Sequence, residues 1–272
     1  LKRWQPSVNG TIATRPGYLL KGDDLIGYVC RTGAVIRRAN SGSEVIVPLL
    51  DPAENDEGQA GTLDVWCNEI GRHAIGNPEL MFALSAAAAA PILRWTGSKV
   101  AAVLMHGKPR TGKTTILNCA ASVMTSPRHS LSWFATDAAT EVYLNDAVDS
   151  LAVLDEFPKS VDRKMTELLY AIGNGTGMAR SNRKLDRIQP AELRSVVLIS
   201  GEKSLEDTYH MSKKDMPEGL RGRFVNIPFG MGNYGCFDEL HGFRSSRELA
   251  EALEHSAIAN HGHIGPEIAK RL

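Results

Sequence analysis

The nine residues "GKPRTGKTT", from Gly107 to Thr115, constrain the fold more than any other part of the chain. An apolar run, "VAAVLMH", precedes them, and a run suited to a helix, "ILNCAASVM", follows them. Two glycines five positions apart, then a lysine and a threonine, fit the pattern G-x-x-x-x-G-K-[ST]. The segment therefore predicts a strand, a loop that encloses phosphate groups, and a helix.

The chemistry of phosphate binding accounts for the residue types in this loop. Glycines let backbone N–H groups approach the anion closely, and the positive end of the following helix faces it. Lys113 would reach the β- and γ-phosphates, and the Thr114 hydroxyl would ligate Mg²⁺. We therefore expect ATP and Mg²⁺ as cofactors. Lys108 and Arg110 lie in the same loop, and their side chains are also compatible with simple exposed charges. The expected nucleotide-binding residues are Gly107, Arg110, Thr111, Gly112, Lys113, Thr114 and Thr115.

A second, independent motif is the apolar run "LAVLDE", which ends in Asp155 and Glu156. Asp155 lies forty-two residues after Lys113, a gap that holds a helix, a strand and another helix. Such a separation allows two strands of one parallel sheet to end side by side, where α/β proteins bind ligands. We expect Asp155 to hold Mg²⁺ and Glu156 to orient and deprotonate an attacking water.

Three further side chains are candidates for the hydrolytic step. Transfer of the γ-phosphoryl group needs added positive charge, and "EGLRGRFVNIP" offers Arg221 and Arg223 as arginine fingers or as surface charges. A finger that reaches the site of a neighbour would require a ring of subunits. The strand "SVVLIS" ends at Ser200, which would either sense the γ-phosphate or cap the strand.

The order of elements predicts an α/β chain with a central parallel sheet flanked by helices. Residues 1–62 are expected to form a small strand-rich module, 63–232 the nucleotide-hydrolysing core and 233–272 a helical segment. One helix is expected over Pro78 to Trp95, another closing at Gly173 or Gly175, and a third with a capping box from Ser245 to Glu248, closing at Gly262.

Composition excludes several classes of protein. The 31 basic and 31 acidic residues cancel, which argues against a uniformly basic nucleic-acid binder. Four widely spaced cysteines favour a reducing, cytoplasmic location, and the three C-terminal histidines lack partners at metal-ligand spacing. The longest apolar run, Leu80 to Leu93, has fourteen residues, fewer than the roughly 20 that cross a bilayer, so no membrane is expected. Because the chain begins with Leu1 instead of methionine, we expect a fragment.

The ordered set of motifs resembles the AAA+ ATPases of the minichromosome-maintenance (MCM) helicase type. It is more similar to an uncharacterised-domain family of phages, plasmids and integrated elements that itself resembles those helicases. The resemblance covers Asn77 to Pro266, about 70% of the chain. The segments that carry it, besides the Gly107 loop, are "NPELMFALSAAAAAPIL", "SWFATDAATE" with "LNDA", "LDEF", "LLYAIGNGTGMARSN", "LISGE", "GLRGRF" and "NHGHIGP".

The resemblance implies a P-loop NTPase core of the AAA+ type, a homohexameric ring with ATP between subunits, and translocation on single-stranded or forked DNA in replication. Arg223 in "GRF" matches the arginine finger of the family. Ser200 falls at the sensor position, where MCM proteins usually carry asparagine, so the sensor role does not transfer directly.

DNA contact is expected in the basic stretch between the helix near Gly175 and the strand near Val196. The resemblance implies a β-hairpin here, with "GMARSN" and "DRIQPAEL" as its arms. Phosphate contacts need only positive charge and reach, and few aromatic residues accompany these cations, so base stacking is not indicated. A solvated basic loop without a partner is the alternative. The candidate DNA-binding residues are Arg180, Arg183, Lys184 and Arg187.

Two other functions fit the same phosphate site. A nucleotide-dependent switch or scaffold would bind ATP and oligomerise without unwinding DNA. A kinase of small molecules is disfavoured because Asp155 and Glu156 supply a carboxylate for activating water, and no arginine-rich lid is evident.

Overall fold

The computed structural model describes residues 10–37, 45–50, 58–133, 137–177, 180–181, 187–188 and 192–272. In these residues the strands are β1 (Gly10–Ala13), β2 (Gly17–Lys21), β3 (Asp24–Val29), β4 (Val35–Arg37), β5 (Val45–Pro48), β6 (Val100–His106), β7 (Leu131–Ser132), β8 (Ser150–Phe157), β9 (Arg180–Ser181), β10 (Arg187–Ile188), β11 (Ser195–Gly201) and β12 (Phe224–Pro228). The α-helices are α1 (Leu63–Glu69), α2 (Pro78–Ala89), α3 (Leu93–Thr96), α4 (Lys113–Ser122), α5 (Asp137–Asp146), α6 (Arg163–Asn174), α7 (Leu205–Met211), α8 (Glu218–Arg221), α9 (Ser246–Ala259) and α10 (Ile264–Arg271).

Five strands form the central sheet in the order β12-β6-β11-β8-β7, and all of its neighbours run parallel. The chain moves from β6 to the β7 edge, returns through β8 and β11, and then crosses β6 to reach β12. Connections from β6 and β11 therefore leave in opposite directions along the sheet. In open α/β sheets a crevice for ligands opens at such a point, beyond the carboxyl ends of the strands.

Both faces of this sheet are buried, as its nearly continuous apolar strands require. Alternate residues of each strand enter two separate cores, so that Val103 and Leu198 pack in one and Leu104 and Ile199 in the other. Helices α2, α4 and α9 contribute to the first core, and α5, α6 and α7 to the second. The expectation of a parallel sheet flanked by helices is confirmed.

The helix expected over Pro78–Trp95 is interrupted. Helix α2 ends at Ala89, a 3₁₀ turn covers Ala90–Ile92, and α3 restarts at Leu93. Pro91 has no backbone N–H and its ring clashes with the preceding turn, which breaks a continuous α-helix.

The end of α6 agrees with its sequence signal, whereas both ends of α9 differ from theirs in detail. Of the two glycines expected to close α6, Gly175 does so, with a left-handed φ of 64°. Ser245 caps α9 through Glu248 N, 3.2 Å away, but the Glu248 carboxylate accepts from the N–H of Arg244, so the box is shifted by one residue. Helix α9 ends at Ala259, before Gly262.

Short strands make up most of the described residues before α1. Strands β2, β3 and β4 form an antiparallel sheet, and β1 pairs with β5 in parallel. Tyr18 of β2 joins them to the central sheet, because its N–H donates to Asp149 Oδ2 at 3.0 Å, just before β8. No helix in the described ranges is long and apolar enough to cross a membrane.

Candidate active site

The glycine-rich loop lies between the end of β6 and the start of α4, at the carboxyl edge of the sheet. Gly107 N donates to Gly201 O at 3.1 Å, which anchors the loop beside the end of β11. A Cβ atom at Gly107 would lie 2.0 Å from the carbonyl oxygen of Phe229, so only glycine fits there. The sequence thus places the loop at the crevice created by the strand order.

Lys113 is folded back into this loop. Its side chain is buried, and Nζ donates to the carbonyl oxygens of Gly107 and Lys108 at 2.9 and 2.6 Å. Burial lowers the pKa of Lys113, while nearby acidic groups, including Glu202 and Asp155, act in the opposite direction. The loop therefore presents a partly desolvated cation, which favours contact with an anion.

Thr114, Asp155 and Ser200 meet at the ends of three elements. Thr114 Oγ1 donates to Asp155 Oδ2 at 3.0 Å, and the Ser200 hydroxyl donates to Asp155 Oδ1. Asp155 Oδ1 also accepts from the N–H of Glu156 at 2.9 Å. The first turn of α4 is thereby connected to the carboxyl ends of β8 and β11.

A β-bulge sets the direction of Glu156. Leu154 pairs with Ile199 and Phe157 with Gly201, so two residues of β8 oppose the single residue Ser200. Glu156 has a φ of 64°, a left-handed conformation that is unfavourable for a residue with a side chain. Its Oε2 accepts from the hydroxyl of Ser132, 3.3 Å away on β7. The motif at residues 151–156 predicted the two carboxylates, but neither the bulge nor Ser132 has a sequence signal.

These side chains face a cavity of about 930 Å³. Ligand pockets commonly measure about 300–1,000 Å³, so the cavity has the size of a small-molecule site. Loop residues Arg110 to Thr115 line one wall, and Asp155, Glu156 and Ser200 line another. Sequence analysis missed the remaining wall, whose members include Lys159, Glu202, Tyr234, Phe237 and Arg247.

The segment after β12 supports the loop from behind. Cys236 N donates to Thr111 O at 2.8 Å, and the Glu79 carboxylate of α2 accepts from Gly230 N at 2.9 Å. Burial raises the pKa of Cys236 to about 12, so its thiol stays neutral. The three glycines and two aromatics of "GMGNYGCF" were an available sequence signal for a tight wall segment.

Thr115 lies in the same helix turn but its hydroxyl serves another contact. Its Oγ1 donates to Glu254 Oε1 on α9 at 2.6 Å. The residue lines the cavity while this bond ties α4 to α9.

The two arginines expected at the hydrolytic centre do not line the cavity of their own chain. Arg221 pairs with Glu206 at 2.8 Å and with Glu218 at 3.2 Å. Arg223 Nε donates to Asn174 Oδ1 at 2.8 Å, and its Nη1 donates to Gly219 O. Of the expected catalytic residues, the structure brings together Lys113, Glu156 and Ser200, with Thr114 and Asp155, and leaves these arginines apart.

The basic stretch is partly described. Arg180 of β9 and Arg187 of β10 belong to an antiparallel pair, in which Ile188 faces Arg180 and Ser181 faces Arg187. The hairpin begins at the Thr176–Glu192 bridge, between α6 and the start of β11. It therefore leaves the sheet at the amino edge, opposite the cavity. Arg183 and Lys184 lie outside the described residues.

The donor set suits Mg²⁺ only together with phosphate. In the part of the chain that the structure describes, no cluster of three or more His, Cys, Asp or Glu side chains could hold a metal. The Thr114 hydroxyl and the Asp155 carboxylate are hard oxygen ligands, 3.0 Å apart. Mg²⁺ commonly binds through one or two such groups, with water and substrate phosphates completing its shell.

Comparison with solved structures shows a related fold. The structure titled "SCCmec type IV Cch - active helicase" aligns with 96% of this chain at 22% identity, with a TM-score of 0.70. This chain spans 46% of that protein's length, so the alignment covers less than half of it. The "NrS-1 C terminal region" aligns with 95% of this chain and 54% of its own, at 14% identity and a TM-score of 0.42.

No curated protein matches the chain. The family model described as "Domain of unknown function (DUF927)" matches residues 28–189, more than half of the 272 residues. The chain therefore belongs to the DUF927 family.

Proposed function

We propose that the chain is the ATP-hydrolysing motor of a DNA helicase or translocase, of the AAA+ MCM-like type, from a phage or other mobile element. The observation that carries the proposal is the meeting of Lys113, Thr114, Asp155, Glu156 and Ser200 at one cavity of about 930 Å³. These residues come from three separate elements, and their types match the needs of Mg²⁺-dependent triphosphate hydrolysis.

In this proposal the loop acts as a P-loop and binds the phosphates through its backbone N–H groups and through Lys113. The ammonium would exchange the carbonyls of Gly107 and Lys108 for the β- and γ-phosphate oxygens. Lys113 is already partly desolvated in the folded protein. Binding of the triphosphate would therefore require little further desolvation of the ammonium group.

Hydrolysis would depend on the carboxylates of the bulge. Thr114 and Asp155 would hold Mg²⁺, which supplies charge neutralisation at the phosphates when it is bound. Glu156 would orient the attacking water and accept its proton. Ser200, hydrogen-bonded to Asp155, is positioned to fix the direction of that carboxylate.

The hexameric ring and the DNA path complete the proposal. Arg223 or Arg221 would enter the cavity of a neighbouring subunit. This agrees with the structure, in which neither arginine lines the cavity of its own chain. The hairpin at β9 and β10, with Arg180, Arg183, Lys184 and Arg187, would contact DNA phosphates in the channel. The likeness to the fold of a protein titled an active helicase supports this choice over a kinase.

ATP turnover with and without single-stranded DNA tests the proposal. A motor is expected to hydrolyse Mg·ATP and to turn over faster when DNA is added. An oligomeric switch or scaffold would bind ATP but show turnover that is indifferent to DNA. Failure of the chain to bind Mg·ATP in equilibrium titration would overturn both readings.

A further inference from the structure

A small surface beside the hairpin combines an exposed aromatic ring with two cations. It consists of Arg94 and Trp95 of α3 and Lys99, just before β6, and is called the Trp95 surface below. We propose that the Trp95 surface binds single-stranded DNA, with a base stacked on the indole. The inference rests on the proposed function in taking DNA as the polymer, and deepens it by adding a stacking contact at the amino edge of the sheet.

Trp95 does not behave as a core residue. Its exposed fraction is 49%, whereas the other described tryptophans, Trp66 and Trp133, are 5% and 6% exposed. Tyr18 packs edge-on against it, with ring centroids 4.8 Å apart and an interplanar angle of 87°. The indole is therefore held from one side and open to solvent on another.

A buried network holds Tyr18, the residue that packs against the indole of Trp95. Tyr18 N donates to Asp149 Oδ2 at 3.0 Å, and the Arg194 guanidinium binds the same carboxylate, with Nε 2.5 Å from Oδ1. Asp149 is 1% exposed, so this ion pair is well shielded from solvent. A preorganised ring loses little conformational entropy when a base stacks on it.

Positive charge lies on either side of the indole in the sequence. Lys99 is exposed, and Arg94 is close enough to Tyr18 to oppose the rise that burial and Asp149 produce in the pKa of that phenol. Within the described ranges neither cation forms an ion pair, whereas Arg194 is neutralised by Asp149 and Glu192. The net local charge therefore suits a polyanion.

The Trp95 surface is continuous with the base of the hairpin. Lys99 O accepts from Ser195 N at 3.0 Å, at the start of β11. The Lys99 side chain lies against Gly175, where an added Cβ would be 2.5 Å from Lys99 Cβ. Gly175 O in turn accepts from Leu193 N at 3.0 Å, next to the Thr176–Glu192 bridge. A DNA strand that leaves the base of the hairpin would therefore meet Lys99 first, four residues from Trp95 in the sequence.

This chemistry favours a single strand over a duplex. Aromatic platforms flanked by cations bind unpaired bases by stacking and the backbone by charge, with little sequence preference. In a duplex the base faces are stacked on one another and cannot meet the indole. Few aromatic residues lie in the basic stretch itself, so this ring supplies from α3 the stacking contact that the hairpin sequence lacks.

The test measures binding of an oligo(dT) strand to the purified chain without nucleotide. Stacking is worth about 1–3 kcal/mol per base, so Trp95→Ala is expected to raise Kd about tenfold, and Trp95→Phe by much less. Lys99→Gln is expected to reduce the slope of log K against log salt by about 0.7, the value of one phosphate contact with a single strand. Trp95→Ala should leave that slope unchanged.

Lys164→Gln is the matched control, because Lys164 is exposed in the first turn of α6, at the opposite end of the helix from Gly175. It should change neither Kd nor slope. Tryptophan emission gives a second readout. The oligonucleotide should quench the emission of the wild type and quench that of Trp95→Phe much less. This comparison tests stacking on Trp95 even if Trp95→Ala does not fold.

An unchanged Kd in Trp95→Ala, or equal quenching in Trp95→Phe, would overturn the inference and leave the motor proposal standing. A wild type that hydrolyses ATP but binds no single strand would overturn both the Trp95 surface and the DNA part of the proposed function. Wild-type binding of duplex as tightly as single strand, with no effect of Trp95→Ala, would assign DNA contact to the hairpin alone.

Discussion

Glu156 shows how backbone conformation decides the use of a side chain. In a regular strand the side chains of Asp155 and Glu156 would point to opposite faces of the sheet. The bulge opposite Ser200 and the φ of 64° break that alternation at the strand end, and both residues line the cavity. A conformation that costs about 1–3 kcal/mol persists where the surrounding contacts impose it, here those with Ser200 and Ser132.

Glu156→Gln tests this residue. The amide has nearly the same shape but cannot accept a proton, so we expect unchanged Mg·ATP affinity and hydrolysis reduced about 10²–10⁴-fold. Single-turnover hydrolysis and equilibrium nucleotide titration measure the two effects. Glu202→Gln is the control, since it removes a carboxylate that lines the same cavity but is paired with Lys159 at 2.9 Å. If the Glu156→Gln variant hydrolyses ATP at a near-normal rate, Glu156 is excluded as the general base.

At the scale of elements, the glycine-rich loop depends on a segment that is remote in sequence. Gly230 and Gly235 both lie against Thr111, and Cys236 N donates to Thr111 O. Gly235 has a φ of 81°, and an added Cβ would be 2.5 Å from Thr111 O. The position of the loop is therefore set from both sides, by β6 and by residues that follow β12.

Gly235→Ala is expected to destabilise the chain by more than about 2 kcal/mol and to weaken nucleotide binding, because both strain and a clash arise. Gly242→Ala is the matched control: its φ is 89°, but nothing lies within 4 Å of an added Cβ. It should cost about 1–2 kcal/mol with no change in nucleotide affinity. Urea unfolding and nucleotide titration compare the two. Equal effects of the variants would contradict a role for the close contact with Thr111.

Spacing and alternation were enough to predict several elements and not others. The loop between β6 and α4, and the carboxylates ending β8, follow from local residue types, and their side-by-side placement follows from parallel pairing. The wall formed by Tyr234 and Arg247 depends on tertiary packing between segments far apart in sequence. The break in the long helix was predictable from Pro91, whereas the bulge at Glu156 was not, because it arises from the register between two strands.

At the scale of the whole molecule, the sheet separates two regions. The cavity lies at the carboxyl edge of the strands, and the hairpin and the Trp95 surface lie at the amino edge. Neither Arg221 nor Arg223 lines the cavity: Arg221 bonds to Glu206 of α7 and Glu218 of α8, and Arg223 bonds to Asn174 at the end of α6, beside the base of the hairpin. A role for them in hydrolysis therefore requires a second copy of the chain.

Arg223→Ala tests that requirement. Alone it should bind Mg·ATP but lose hydrolysis by about 10³-fold or more, the effect of removing an arginine finger. Lys113→Ala alone should fail to bind nucleotide. Mixed, the two should regain partial ATPase activity, because an intact site of one copy can receive the finger of the other.

A mixture of Arg223→Ala with the double variant Lys113→Ala/Arg223→Ala is the control and should stay inactive. Particle mass with an ATP analogue and DNA should correspond to six copies. If mixing restores nothing, the finger acts within its own chain or not at all, and the ring loses its support.

Side-chain contacts connect the strands β8 and β11 at both of their ends. Asp149 and Arg194 join them where they begin, and Asp155, Glu156 and Ser200 join them where they finish. Relative sliding of the two strands would have to break both the shielded Asp149–Arg194 ion pair and the hydrogen bond between Ser200 and Asp155. In the proposed motor, loss of the γ-phosphate would therefore move the two strands together and carry the displacement to the hairpin, about 20 Å away.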